Sequence, residues 1–196
     1  SLGVTWDLIE PGPIFKVYPC CGLVHSALDA VLSLQVENGI DASELRSAEV
    51  LVHEFVPRVI HIGLPESGYA AKFSIPYCVA MGLTDGRVDL ASFDTVRPEV
   101  VELAQRVSYG IHPDLHGGDT FLRSEFTEVR LDTTRGVFEA RVERMSNRGT
   151  GANLVVGDLE SKLAGCLRHG QADVDPSAVW SRLLSSDDVD AWTYLG

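Results

Sequence analysis

Two short stretches concentrate the side chains that could do chemistry. Residues 15–30 read FKVYPCCGLVHSALDA, and residues 71–86 read AKFSIPYCVAMGLTDG. In the first, Tyr18-Pro19 sets an extended segment, because the residue before a proline is pushed out of the helical region. Gly22 allows a turn, and His25 then arrives at the first turn of a helix. The partial positive charge of a helix N-terminus favours contact with an anion there. Asp29 lies four residues on, on the same helix face, where it is placed to orient His25. Spacing alone leaves His25 open between a satisfied histidine at a helix start and a general base.

In the second stretch, Lys72, Ser74 and Tyr77 interrupt an otherwise apolar run. Burying such groups is costly unless each is hydrogen-bonded. A tyrosine in this setting is commonly a core ring with its hydroxyl tied down. A lysine between Ala71 and Phe73 must either snorkel to solvent or meet an anion. The chain has only three lysines against 13 arginines, and Lys16 and Lys72 both fall in these stretches while Lys162 lies elsewhere. His53, His61, His112, His116 and His169 show no metal-ligand spacing, so no metal site is expected. The RGTG run at 148–151 does not follow a strand, which makes a phosphate cradle a weak reading, and no G-x-S-x-G or Ser-His-Asp pattern is present. Cys20, Cys21, Cys78 and Cys166 form no C-x-x-C pair, which argues against zinc and against a thioredoxin-like motif. They are expected to be reduced, packed thiols of a cytoplasmic protein.

The elements that must position these groups are legible in outline. The 196 residues carry 16 basic and 28 acidic side chains, a net charge of −12 that argues against a nucleic-acid partner. With 45% apolar residues the chain can bury a real core, and its composition excludes collagen, coiled-coil and disordered classes. No apolar run approaches the roughly 20 residues of a membrane span, so no membrane association is expected. Residues 1–13 lack the features of a signal peptide and read as an irregular lead-in, as though the chain began inside something larger.

Residues 24–38 have helical apolar spacing and stop at Gly39. Residues 48–56 alternate as a strand, with Phe55 at its end. Residues 69–83 read as a buried helix that Pro76 should kink or start, closing on Asp85-Gly86. A short helix over 97–107 opens with Pro98. Residues 126–133 and 137–143 alternate around a turn and predict a hairpin, and 158–167 and 176–184 return to helical patterning. This order predicts an α+β fold with antiparallel strand pairing. Trp180, Leu183, Leu184, Trp192, Tyr194 and Leu195 make an apolar tail that either folds back on its own core or docks on a partner.

At the two chemical stretches the chain resembles a known family. FKVYPCCGLVHSALDA and AKFSIPYCVAMGLTDGRVDLASF are similar to the signature stretches of the MmgE/PrpD family, which includes 2-methylcitrate dehydratases, cis-aconitate decarboxylases and iminodisuccinate epimerases. The resemblance runs over about residues 13–170, through RPEVVELAQRVSYGIHPDL, SNRGTG and DLESKL. It implies a small α+β lid domain at 15–150 after an irregular 1–14, and closing helices at 151–196 that dock on a helical domain or partner subunit. The helical N-terminal half of the family is not in this sequence.

The active site would lie in the cleft between the two parts, with His25 and Tyr77 as its catalytic groups. Lys16, Lys72 and Ser74 would hold substrate carboxylates, and Asp29 would orient His25. The implied chemistry needs neither metal nor cofactor: proton abstraction next to a carboxylate of a small di- or tricarboxylic acid, followed by dehydration, decarboxylation or epimerisation. The implied partner is an all-helical domain or subunit, in a hetero- or homo-oligomer. The alternative is a lid that has lost catalysis and serves as an interaction or structural subunit.

Overall fold

The computed structural model describes residues 15–117, 126–143 and 156–185. The lead-in at 1–14, the glycine-containing loop at 148–151 and the tail residues Trp192, Tyr194 and Leu195 lie outside the described residues.

Alternation builds the sheet, broken at the start of its first strand by a register shift between Leu45 and Ser47. Four strands, β1 (Leu45–Val52), β2 (Val107–Ile111), β3 (Phe126–Thr133) and β4 (Gly136–Glu143), lie in the order β2-β1-β3-β4. Because side chains alternate across a strand, one register row holds Val107, Ala48, Leu131 and Phe138, and a second holds Tyr109, Val50, Val129 and Ala140. These rows face the core. The rows between them carry Glu49, Arg130 and Glu139, then Leu51, Glu128 and Arg141. They make a charged outer face, with Arg130 3.1 Å from Glu139 and Arg141 3.6 Å from Glu128.

The apolar rows are covered by α1 (His25–Asn38), which packs on β3 and β4, and by α4 (Ile75–Asp85), which packs on α1 and β2. Between β1 and α4 lie two single turns, α2 (Val56–Val59) and α3 (Gly68–Ala71). Helix α5 (Pro98–Ala104) packs on α4. Gly82 marks the closest approach of the two long helices, since a β-carbon there would sit 3.3 Å from Leu28 Cδ2. At Gly68 the space is smaller still: a β-carbon would fall 1.9 Å from the Phe93 carbonyl oxygen.

Both long helices end as the sequence demands. Gly39 and Gly86 adopt left-handed φ angles of 59° and 65°, which glycine enters without steric cost. Arg135, in the β3–β4 turn, also donates to the carbonyls of Asn38 and Gly39 at 2.9 and 3.0 Å, so the hairpin tip caps α1. The last two helices, α6 (Val156–His169) and α7 (Pro176–Ser185), pack on each other and bury no residue.

The fold is α+β, as the pattern predicts, with four departures. The strand expected at 48–56 is Leu45–Val52, and Phe55 leads into α2, whose Pro57 suits a first turn because it needs no N–H there. The helix expected at 69–83 is two pieces, and Pro76 stands in the first turn of α4. Strand β2 has no counterpart in the sequence reading, which carried the helix of 97–107 up to Val107, whereas that helix ends at Ala104 and Val107 opens the strand. It pairs parallel to β1, so the sheet is mixed and only β1–β3 and β3–β4 are antiparallel. A parallel pair needs a crossover, and α2 to α5 supply it. Among the described residues, no helix is long and apolar enough to cross a membrane.

Candidate functional site

The two chemical stretches meet in space. The backbone N–H of Cys21 donates to the Lys72 carbonyl at 2.9 Å, and the Cys78 thiol donates to the Ala71 carbonyl at 3.3 Å. Pro19 and the extended Cys21 bring the chain in, and a 3-10 turn at Gly22–Val24 runs directly into α1. His25 is therefore the first α-helical residue, but its own N–H is already bonded to the Gly22 carbonyl. The open donors of the helix start fall on the turn before it.

His25 is 3% exposed, and its Nε2 is buried without a hydrogen-bond partner. Buried polar atoms are nearly always satisfied, so an unpartnered imidazole nitrogen invites a functional explanation. The Tyr18 ring stands edge-on to the imidazole, with centroids 5.2 Å apart and planes at 77°. Tyr18 Oη donates to Asp29 Oδ1 at 2.7 Å. Asp29 thus fixes the ring that packs against His25. Tyr18 has no place in the sequence reading of the site; its only signal there is Tyr18-Pro19 as a backbone constraint.

The thiols are the second element that sequence reasoning missed. Cys20 and Cys78 are buried, Cys21 is half-buried and Cys166 is exposed on α6, and all four are free. Of the thiols expected to be packed, Cys20 and Cys78 are buried and Cys21 is partly so, whereas Cys166 is exposed because α6 is uncovered. Cys20, Cys78 and His25 lie close enough to act on one another's ionisation. The neighbouring Cys78 thiol pulls the Cys20 pKa below the ordinary thiol value; burial opposes this, and His25 and the charge of Lys16 add to the lowering. Cys78 moves the other way, pushed up by Cys20 and by complete burial.

The remaining candidates are placed as follows. Ser74 is the N-cap of α4: its Oγ accepts from the Tyr77 N–H at 3.1 Å and donates to the Gly63 carbonyl. Tyr77 is fully buried, and its hydroxyl accepts from the Arg97 N–H at 3.0 Å. Arg97 closes on Asp85 with two bonds of 3.0 and 2.6 Å, which raise its pKa further. Lys72 is half-buried, with Nζ 5.8 Å from the centre of the Phe93 ring, a cation–π distance. Lys16 is exposed, and its carbonyl accepts from Lys162 Nζ of α6 at 2.7 Å. The contacts therefore gather Tyr18, Cys20, His25, Asp29 and Cys78 into one cluster. Tyr77 and Ser74 are committed to the α4 start and to Arg97.

A groove of about 350 Å³ opens beside Tyr18, where Arg87, Asp89, Lys162 and Arg168 line it between α6 and the body of the fold; His25 is not in its wall. Among the described residues, no group of three or more histidine, cysteine or acidic side chains could hold a metal ion. His53, expected on a strand face, lies just past β1 and accepts from the Phe55 N–H at 3.0 Å. His112 and His116 stand 3.1 and 3.6 Å from Glu128 and Glu54.

A family model for the MmgE/PrpD C-terminal domain matches residues 18–176. The chain belongs to the MmgE/PrpD family. Two sequences from Aspergillus terreus, both named cis-aconitate decarboxylase, are 34% and 32% identical to it over 108 residues. Each match covers 47% of this chain and 22% of the relative. The family match covers the first chemical stretch from Tyr18 on, with Lys16 just outside it, and all of the second stretch, the sheet and α6, so the buried cluster around His25 belongs to an MmgE/PrpD C-terminal domain.

Proposed function

We propose that this chain is the lid part of an MmgE/PrpD-type lyase or isomerase, completed by an all-helical domain or subunit. Its substrate is a small di- or tricarboxylic acid, and the reaction begins with removal of a proton next to a carboxylate. The observation that carries the reading is the buried, uncommitted Nε2 of His25 in a family-matched segment. A general base must have a free lone pair within reach of the proton it takes. His25 is the base, Tyr18 and Asp29 hold it in place, and Lys16, whose charge acts on Cys20, and Lys72, whose carbonyl accepts from Cys21, hold the substrate carboxylates. Because the net charge is −12, attraction for an anionic substrate is local to these lysines. The relatives' name supports decarboxylation of such an acid; dehydration and epimerisation follow from the same carbanion. No metal or cofactor is required by this scheme, and the protein works in the cytoplasm.

The partner reading rests on α6 and α7. Their apolar positions, Leu159, Leu163, Leu167, Trp180 and Leu183, are only half covered. A helical surface laid over them would bury these side chains and close the cleft above His25. The alternative, a lid without catalysis, is favoured by Tyr77, which is fully buried with its hydroxyl bonded to a backbone N–H.

The test is to co-express the chain with an all-helical MmgE/PrpD N-terminal-type domain, purify the complex, and measure turnover of citrate-like and aconitate-like acids with His25 and with His25→Ala. Turnover lost in the variant supports the base. Equal turnover in both removes it, a complex with no turnover of any such acid supports the inactive lid, and absence of a complex removes the shared-site reading.

A further inference from the structure

We propose that Cys20 and Cys78 are an oxidant-sensitive thiol pair beside His25, and that hydroperoxide converts them to a disulfide. The inference rests on placement and does not depend on turnover. Cys21 N–H and Cys78 Sγ bond to the carbonyls of Lys72 and Ala71, two consecutive peptide units. Consecutive α-carbons are about 3.8 Å apart, so the segment after Pro19 and the first turns of α4 are pinned side by side. Cys20 and Cys78 are thereby brought together within the core, 4% and 0% exposed, close enough for each to act on the other's ionisation. Cys21 is half-buried and also acts on Cys78, so it is the competing thiol that a Cys21→Ser variant tests.

The environment activates one thiol and reserves the other. Cys20 has His25 against it and the Lys16 charge nearby, the electropositive setting in which a thiol ionises readily. Cys78 is fully buried, and Cys20 together with that burial keeps its proton on the sulfur. The Cys20 thiolate attacks one oxygen of the hydroperoxide; the O–O bond breaks, and the departing hydroxide takes a proton and leaves as water when the peroxide is hydrogen peroxide. The resulting Cys20 sulfenic acid is attacked by the Cys78 sulfur, which gives up its proton. The S–S bond forms, the S–OH bond breaks, and a second water leaves. Two thiols are oxidised by two electrons and one peroxide is reduced. The disulfide removes the thiol that touches His25 and ties the start of α1 covalently to α4.

The experiment uses the full chain, treated while folded with stoichiometric hydrogen peroxide, then alkylated in denaturant, digested and mapped by mass spectrometry. The expected result is a single link between the peptides containing Cys20 and Cys78, with loss of two hydrogen atoms in the intact mass and full reversal by dithiothreitol. The link persists in Cys21→Ser and is absent in Cys78→Ser. The wild-type map is decisive by itself should a variant fail to fold. A link that disappears in Cys21→Ser, sulfinic or sulfonic acid on Cys20 with Cys78 still fully alkylated, or both thiols surviving in the folded protein would each overturn the proposal.

Discussion

Helices α4 and α6 are of similar length and lie in the same chain, yet they live in different surroundings. Every residue of α4 from Ile75 to Leu83 is buried, whereas α6 buries none. The first is apolar all round, as a helix wrapped by others must be. The second has a leucine stripe at Leu159, Leu163 and Leu167 and polar residues elsewhere. It leans on the body of the fold through polar contacts, Lys162 to the Lys16 carbonyl at 2.7 Å and His169 to Asp94 at 3.8 Å. The difference separates a self-sufficient half that buries its own core, containing His25, from a half whose apolar stripe is only partly covered.

The sharpest way to break this comparison is a matched pair of truncations. Leu28→Ala, at a fully buried site against α4, should cost about 2–5 kcal/mol in urea unfolding. Leu163→Ala on α6 should cost about 0.5 kcal/mol or less. Equal losses would mean that the two halves are one core. Next comes Gly68→Ala, whose β-carbon collides with the Phe93 carbonyl oxygen; a loss of about 1–3 kcal/mol is expected although alanine is the better helix former. Tyr77→Phe leaves the Arg97 N–H without its acceptor and should lose about 1–2 kcal/mol, while a change below a few tenths would show that water replaces the hydroxyl.

Ending the chain at residue 175 removes α7 and everything after it. The expected loss for the chain alone is about 0.5–1 kcal/mol, with association to a helical partner abolished; failure to fold would assign α7 to the core. The smallest effect lies at the rim of the self-sufficient half. Glu54 is held below the usual carboxylate pKa chiefly by the Gly117 N–H, at 3.0 Å. A depressed pKa contributes stability above the unfolded value, about 4.3, and loses it as pH falls through the folded value. The Gly117 amide resonance should therefore shift in that acid range while the α1 and α4 amides stay put.

Much of the self-sufficient half was legible because its signals are local. Gly39, Gly86 and Pro76 punctuate α1 and α4, and the alternation from 126 to 143 announces the hairpin; Ser74 as the N-cap of α4 was not read. The site was legible in its parts: His25 at a helix start, Asp29 one turn on, polar groups within an apolar run. What joins the parts was not. The meeting of Cys20 with Cys78 and of Tyr77 with Arg97 is set by how α1, α4 and α5 pack, and no pattern along the chain encodes a contact between segments so far apart. Strand β2 escaped for the same reason, since a parallel partner is chosen through a crossover and not through a turn.

Arg135 gives the hairpin a second role. The guanidinium that stops α1 belongs to the tip of β3–β4, 5.6 Å above the Phe138 ring. To a protein engineer the tip looks like a convenient surface loop for a fluorophore, an affinity tag or an inserted domain. It is also the end stop of the helix that begins with His25, so a graft there would unseat the far end of that helix.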